Sequence, residues 1–327
     1  MAPQEILARG REVSVAIESE IAKVVFGDEI KPLVDILITA LWANGHVLAR
    51  APVGTAKTLA CNALAKSIGG VFRKRQFRPD MLPSEISGFE IYNQKTREFE
   101  VHHGPLFGTN VFLADEINRG TPKSQSALLE AMEERYVTIS STVFELEPGF
   151  LVLATRNPME HEGTYPLPEA QLDRIFAQPI IKEISLETIL LIIKDPDYHR
   201  IAGKRLERIQ AVTDPAEVIA IREAIFAAIH VEDRLERYIA SLVVETWNHD
   251  QVGYGVSPRG AIDLKKAATV AAFREGRDYA EPEDVRRYAV DILAHRIFFK
   301  PDYQADAARD VSPADIVRKV LADVRYE

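Results

Sequence analysis

Three short apolar runs constrain the fold of this chain more than any other feature. "HVLA" (46–49), "NVFLADE" (110–116) and "GFLVLATRN" (149–157) are rich in Val, Leu and Phe, and their apolar residues do not alternate with polar ones. Strands buried on both faces of a parallel sheet read in this way. Helical segments separate them. In "TPKSQSALLEAMEER" (121–135), Thr121 stands as N-cap and Pro122 takes the first helical position. Strand–helix alternation of this kind, from Gly45 to about Ile184, predicts an α/β layered domain.

Two stretches interrupt the rhythm. "GFEIYNQKTREFEV" (Gly88–Val101) and "YVTISSTVFELE" (Tyr136–Glu147) read as β-hairpins inserted in the domain and projecting from it. After Ile184 the strands stop. "DPAEVIAIREAIFAAIH" opens with Asp214 as cap, Pro215 in the first turn and Glu217 closing a capping box. The three apolar-periodic segments that follow are helical too. The expected division is therefore a nucleotide-binding core with N-terminal helices over 1–184, and a smaller all-helical domain with a C-terminal tail over 185–327.

Composition narrows the function. A net charge of −9 argues against a dedicated nucleic-acid binder, which carries a basic balance or patch. Cys61 is the one cysteine, so no internal disulfide is possible, and a reducing compartment suits the chain. The first twenty residues are too charged for a signal peptide, and the uncharged run Ile36–Ala49 is too short to span a bilayer. A cytoplasmic protein without a membrane span is expected.

The chemistry begins at "LARAPVGTAKTLA" (48–60). A phosphate-binding loop reads Gly, four residues, then Gly-Lys-Ser/Thr. Here Lys57 and Thr58 are in place, but Ala51 and Ala56 occupy the two glycine positions. Such a loop surrounds phosphates with backbone N–H groups and a helix N-terminus. Lys57 would reach the outer phosphates and the Thr58 hydroxyl would ligate magnesium. Gly54 remains inside the loop, and a strand and a helix flank it. Alanine is penalised wherever φ must be positive.

Roughly sixty residues later, "NVFLADEINR" ends an apolar strand in two carboxylates. Asp115 would hold magnesium through water, and Glu116 would orient or deprotonate the attacking water. The C-terminal end of a strand is where ligands sit in open α/β sheets. A third strand ends in Asn157, which either closes a turn with Pro158 or holds the attacking water beside a γ-phosphate. Arg174, in "YPLPEAQLDRIF", reads locally as a surface charge. With Ser257 as cap and Pro258 first, Arg259 sits in a first helical turn, a placement that opposes the helix dipole and suits an arginine aimed at a phosphate.

Taken together and in order, the loop, "FLADEINR", "PKSQSALLEAMEER", "ATRNP", "GTYPLPEAQLDR" and "SPRG" closely resemble the MoxR family of AAA+ ATPases, from about Gly27 to Arg296. The resemblance implies a P-loop core with a parallel five-stranded sheet, followed by a helical lid. It implies ATP and Mg2+ as cofactors, with Pro52, Val53, Gly54, Thr55, Ala56, Lys57, Thr58 and Leu59 on the nucleotide. "VVFGDEI" (Val24–Ile30), with Val25 and Gly27, would line the adenine pocket. Asn157 matches sensor 1, Arg259 matches sensor 2, and Arg174 matches the arginine finger that enters a neighbour's site. The hairpins correspond to the helix-2 insert and the pre-sensor-1 hairpin. Ala56 is usual for this family, whereas Ala51 departs from it. Members form hexameric rings that act as chaperone-like motors, often with partners that carry a von Willebrand factor type A domain.

The implied activity is magnesium-dependent ATP hydrolysis that remodels or matures a protein client. Two rivals are the ATPase subunit of a metal-chelatase-like complex and a nucleic-acid motor. Three features carry less. "FRKRQF" (72–77) places three cations in a strand, a pattern by which edge strands avoid aggregation. His102 and His103 would face opposite ways on a strand, and Cys61 reads as a small buried residue.

Overall fold

The computed structural model describes residues 3–52, 54–156, 163–195, 202–304 and 311–326. Its strands are β1 (Val47–Arg50), β2 (Phe72–Gln76), the hairpin β3 (Gly88–Asn93) and β4 (Glu98–His103), β5 (Val111–Asp115), the hairpin β6 (Tyr136–Ile139) and β7 (Thr142–Glu145), and β8 (Leu151–Arg156), with a short antiparallel pair, β9 (Val252–Tyr254) and β10 (Phe298–Phe299), in the part expected to be all-helical. Four of them form a parallel sheet in the order β1-β8-β5-β2. Residues 177–181 fill the fifth position as a broken edge. Val47 and Arg50 bridge Ala177 and Ile180 in parallel, and Arg50 donates its N–H to the Pro179 carbonyl at 3.0 Å. Pro179 has no N–H to give, so a continuous ladder cannot form there. Both sequence-read hairpins are present, outside the sheet.

In the first part of the chain the helices are α1 (Pro3–Ala22), α2 (Lys31–Ala43), α3 (Lys57–Ser67), the short α4 (Ser84–Ser87), α5 (Pro122–Glu134) and the short α6 (Glu169–Leu172). Strand alternation divides the sheet's side chains between two cores. Val47, Ala49, Leu113 and Leu153 join the core built with α1, α2 and α3, whereas Leu48, Phe112, Ala114 and Val152 join the one under α5. Burial on both faces explains the unbroken apolar runs in the sequence. Thr121 caps α5 as expected, accepting from the Ser124 N–H.

Beyond the sheet come α7 (Leu186–Lys194), α8 (Ala202–Leu206), α9 (Pro215–Ala228), α10 (Asp233–Trp247), α11 (Pro258–Arg274) and α12 (Pro282–Leu293). Asp214 caps α9 and Ser257 caps α11, both at positions the sequence marks. The helical part packs on the α1–α2 side. Arg9 of α1 pairs with Glu217 of α9 at 2.9 Å, and Asp35 of α2 accepts from Arg274, Arg287 and Tyr288. Among the described residues no helix is long and apolar enough to cross a membrane.

Candidate nucleotide site

The loop between β1 and α3 resolves which alanine sits where a glycine is needed. Ala51 is 2% exposed, part of the core, and is not among the residues with positive φ. Ala56 adopts φ 54° and ψ 16°, left-handed backbone that favours glycine. Gly54 has φ +89°, with open space around it. The family's usual alanine is therefore the strained one, and the departure at Ala51 costs the loop nothing. Ala56→Gly is expected to stabilise the fold by up to about 1 kcal/mol. Ala51→Gly should destabilise it by about 1–2 kcal/mol, through a lost buried methyl and a more flexible unfolded chain. Thermal melting of the two variants checks the opposite signs.

Lys57, at the start of α3, turns its ammonium back onto the loop, donating to the Pro52 carbonyl at 2.6 Å. Burial pulls its pKa down against the Asp115 and Glu116 carboxylates, which raise it, and Lys74 adds to the lowering. A phosphate would offer this partly desolvated charge a stronger partner than a carbonyl.

Opposite the loop stand the two carboxylates, organised by Thr155 at the end of β8. The Thr155 hydroxyl donates to Asp115 Oδ1 at 2.7 Å and accepts the Glu116 N–H at 3.0 Å. Glu116 has φ 53°, a left-handed conformation that turns its side chain out of the strand line. Its carboxylate accepts from Gln76 Nε2 and meets Arg119 Nε, each at 3.0 Å. Lys74 Nζ sits 2.7 Å from Asp115 Oδ2. Burial opposes the Asp115 charge, but hydrogen bonds from Lys74 and Thr155 and the Lys74 and Lys57 charges outweigh it, holding the carboxyl below its ordinary range.

The sequence reading missed Lys74, Gln76 and Thr155. "FRKRQF" does form the edge strand β2, yet one of its cations belongs to the site. β2 pairs with β5 so that Lys74 and Gln76, two apart, share the face that meets Asp115 and Glu116.

The loop and the carboxylates line one cavity of about 550 Å3, within the range of small-molecule sites. Gly54, Thr55, Ala56, Lys57, Thr58 and Leu59 all reach it, as do Asp115 and Glu116. Val24, Phe26, Ile30, Ile181, Ile184 and Ile192 give the cavity an apolar portion of wall. Val25, expected on the nucleotide, instead faces the core, between the two lining residues Val24 and Phe26. Pro52 and Gly27 do not line the cavity. Pro52 serves through its carbonyl on Lys57, whereas Gly27 shapes the wall. Val53 and Asn157 lie outside the described residues.

Glu29 ties that wall together. Its carboxylate accepts the Ser185 N–H at 2.9 Å and the Thr188 hydroxyl at 2.8 Å, joining the 24–30 segment to α7. Those bonds hold its pKa down at about 2. Gly27 lies against this junction with φ +100°, and a Cβ there would stand 2.5 Å from Thr188 Oγ1 and 2.7 Å from Glu29 Oε2. Gly27→Ala should cost more than about 1 kcal/mol and loosen the apolar wall. A lower melting temperature together with weaker binding of a fluorescent adenine nucleotide is the expected result.

A divalent cation fits only in company with phosphate. Among the described residues no cluster of three or more His, Cys, Asp or Glu could hold a metal alone. Thr58 and Asp115 both reach the cavity, and magnesium is typically held by one or two protein oxygens plus substrate phosphates and water.

The two arginines stand elsewhere. Arg174 Nε is 2.7 Å and Arg259 Nη2 2.5 Å from the two oxygens of Glu133. Glu133 is near the far end of α5, whose first turn follows the Glu116 turn, so some 17 Å of helix separates the pair from the carboxylate end of the sheet. Neither arginine lines the cavity. Arg259, expected to aim at a phosphate, stands here with Arg174 on Glu133. Buried Arg296 fixes their surroundings, reaching Asp263 at 2.6 Å and Asp173 at 3.3 Å, while Ser257 also donates to Asp173.

Known proteins resemble this chain in sequence and fold. The family model described as ATPase family associated with various cellular activities (AAA) matches residues 46–177, and the AAA lid domain model matches 244–320. YeaC of Bacillus subtilis, itself described as uncharacterised, is 41% identical over 288 residues, 88% of this chain and 87% of that one. Chaperone MoxR1 of Mycobacterium tuberculosis is 37% identical over 314 residues, covering 93% of this chain and 80% of its own. The crystal structure of a candidate ATPase from Cytophaga hutchinsonii superposes with a TM-score of 0.87 at 37% identity, over 99% of this chain and 98% of that one. With similarity of this extent joined to a phosphate loop, paired carboxylates and a helical lid, the chain belongs to the MoxR family of AAA+ ATPases and is an ATP-hydrolysing enzyme.

Proposed function

We propose that the cavity binds ATP with Mg2+ and that a ring of these chains uses hydrolysis to remodel or mature a protein client. The observation that carries this reading is the convergence of Lys57, Thr58, Asp115 and Glu116 on one cavity with an apolar portion of wall. Lys57 and the loop N–H groups hold the phosphates, Thr58 and Asp115 hold the cation, and Glu116 takes the water's proton. Asn157 would position that water. Magnesium supplies charge neutralisation at the phosphates. The division into core (1–184) and lid (185–327) belongs to the same reading, with the lid carrying Arg259.

Placement of Arg174 and Arg259 away from their own cavity supports a site completed by a neighbour, as a hexameric ring would allow. A protein client accords with the chaperone name of the mycobacterial relative. A partner with a von Willebrand factor type A domain follows from the family resemblance, and a cytoplasmic location suits the acidic chain with one buried cysteine.

Titration with a fluorescent ATP analogue, with and without Mg2+, tests the binding step. Lys57→Ala removes the ammonium that the loop carbonyls now hold, and should abolish measurable binding. Near-native affinity in that variant would place the nucleotide elsewhere.

A further inference from the structure

β2 closes one end of the sheet, and among the described residues no strand pairs with its outer edge. The register fixes which groups that edge presents. The Val71 carbonyl accepts the Val111 N–H at 3.1 Å, and the Phe77 N–H donates to the Asp115 carbonyl at 2.8 Å. Backbone groups alternate sides along a strand, so those of residues 71, 73, 75 and 77 serve β5. The N–H and C=O groups of Phe72, Lys74 and Gln76 point the other way, an open template for a further strand.

A groove of about 530 Å3 runs beside β2. Arg73 and Arg75 form one wall; Phe89 and His103, at the base of the β3–β4 hairpin, form the other. No residue of β5 lines it, so it lies on the unpaired side of β2. The hairpin wall is fixed in place. His103 packs on Phe107 and Phe144, ring centroids 4.4 and 5.1 Å away, and a Cβ on Gly104 would collide with the Ile86 carbonyl.

The charge of this groove is one-sided. Arg73 and Arg75 are exposed on the sheet face opposite Lys74 and Gln76, and neither side chain has an ion pair or hydrogen bond among the described residues. Glu85, the one carboxylate lining the groove, is already held by Arg78 at 3.3 Å and the Leu82 N–H at 3.0 Å. In a chain of net charge −9, an open strand edge thus carries unpaired positive charge.

We propose that the β2 edge takes an extended acidic segment of a protein client as an added strand, its carboxylates on Arg73 and Arg75. The inference deepens the reading of a protein client and rests on it. A peptide backbone alternates N–H and C=O, so it can satisfy both kinds of outward group on Phe72, Lys74 and Gln76. A nucleic-acid backbone brings phosphate acceptors, which answer the arginines but leave the outward carbonyls without donors. A second copy of this edge would set arginine against arginine. Like charges repel across neighbouring strands and opposite charges attract, so the arginines that bar a second copy select an acidic strand.

The probe is a fluorescein-labelled eight-residue peptide of alternating glutamate and valine, read by fluorescence polarisation. Saturable binding to wild type is expected. Binding to Arg73→Glu/Arg75→Glu should be weaker by about tenfold or more, since attractive cross-strand pairs become repulsive. Neither arginine lines the nucleotide cavity, so this variant should bind the fluorescent ATP analogue at native affinity. Strand addition has a sharper signature, because only alternate N–H groups of an added strand face its neighbour. Two further peptides are N-methylated, one on every glutamate and the other on every valine. One should keep its affinity and the other lose about tenfold or more, through the hydrogen bonds removed. That comparison uses wild-type protein alone. Absent binding, an unaffected double variant, or equal binding of the two methylated peptides each overturns the proposal. So does a labelled oligothymidylate that binds more tightly than the peptide and is lost in the same variant, which makes the edge a nucleic-acid surface. The client reading fails separately, when Glu116→Gln chains loaded with ATP retain no protein from a cell extract.

Discussion

Glu116→Gln should retain ATP and lose turnover by about two to four orders of magnitude, the range that a positioned general base contributes. The substitution preserves length and shape at a position the structure over-determines. Thr155 holds the Glu116 N–H, and Gln76 and Arg119 hold its carboxylate. A glutamine can still meet these neighbours through its carbonyl oxygen, but it cannot take a proton from water. The left-handed backbone at Glu116 points the same way, since strained residues persist where surrounding structure enforces them and concentrate at functional sites. Asp115→Asn should act on an earlier step. It removes the charge that pairs with Lys74 and Lys57 and weakens the cation site, so magnesium-dependent binding should fall along with turnover. Single-turnover hydrolysis measured beside nucleotide retention separates the two. Native turnover in Glu116→Gln would remove this residue from the role of base.

The division between what the sequence revealed and what it hid follows the physics of each feature. Lys57, Thr58, Asp115 and Glu116 line one cavity because local chain geometry places them at strand ends and a helix start, which spacing alone can show. Caps at Thr121, Asp214 and Ser257 are equally local, and all three hold. Lys74 and Gln76 were hidden because their role depends on strand register. "FRKRQF" shows only that cations crowd an edge, and pairing with β5 decides that Lys74 meets Asp115 while Gln76 meets Glu116. Glu29 and Thr188 lie 159 positions apart, a separation over which no periodicity operates. Pro179 reduced the expected fifth strand to bridges. Motif position does not distinguish the loop alanines, because strain depends on φ, which is positive at Ala56 and not at Ala51.

Arg174→Ala should bind ATP and hydrolyse it slowly, with a loss on the order of 10³–10⁵, the worth of an arginine supplied in trans in phosphoryl transfer. The structure makes a second arginine part of the same experiment. Glu133 holds Arg174 and Arg259 together on its two oxygens, so whatever interface receives one receives the other. Mixing then reads the assignment directly. A Lys57→Ala chain has no working phosphate site but presents both arginines intact. Combined with Arg174→Ala, it should restore hydrolysis at about a quarter of the junctions in a randomly mixed heterologous ring, wherever an intact loop meets an intact arginine. Combined with Arg259→Ala, the outcome discriminates further. If Arg259 served its own chain, that chain's cavity would lack it in every mixture, and the Lys57→Ala chain could not compensate. If Arg259 acts with Arg174 on the neighbour, the two mixtures should recover alike. Rescue of Arg174→Ala without rescue of Arg259→Ala, in rings shown to be mixed, would return Arg259 to its own nucleotide and require it to leave its place beside Glu133.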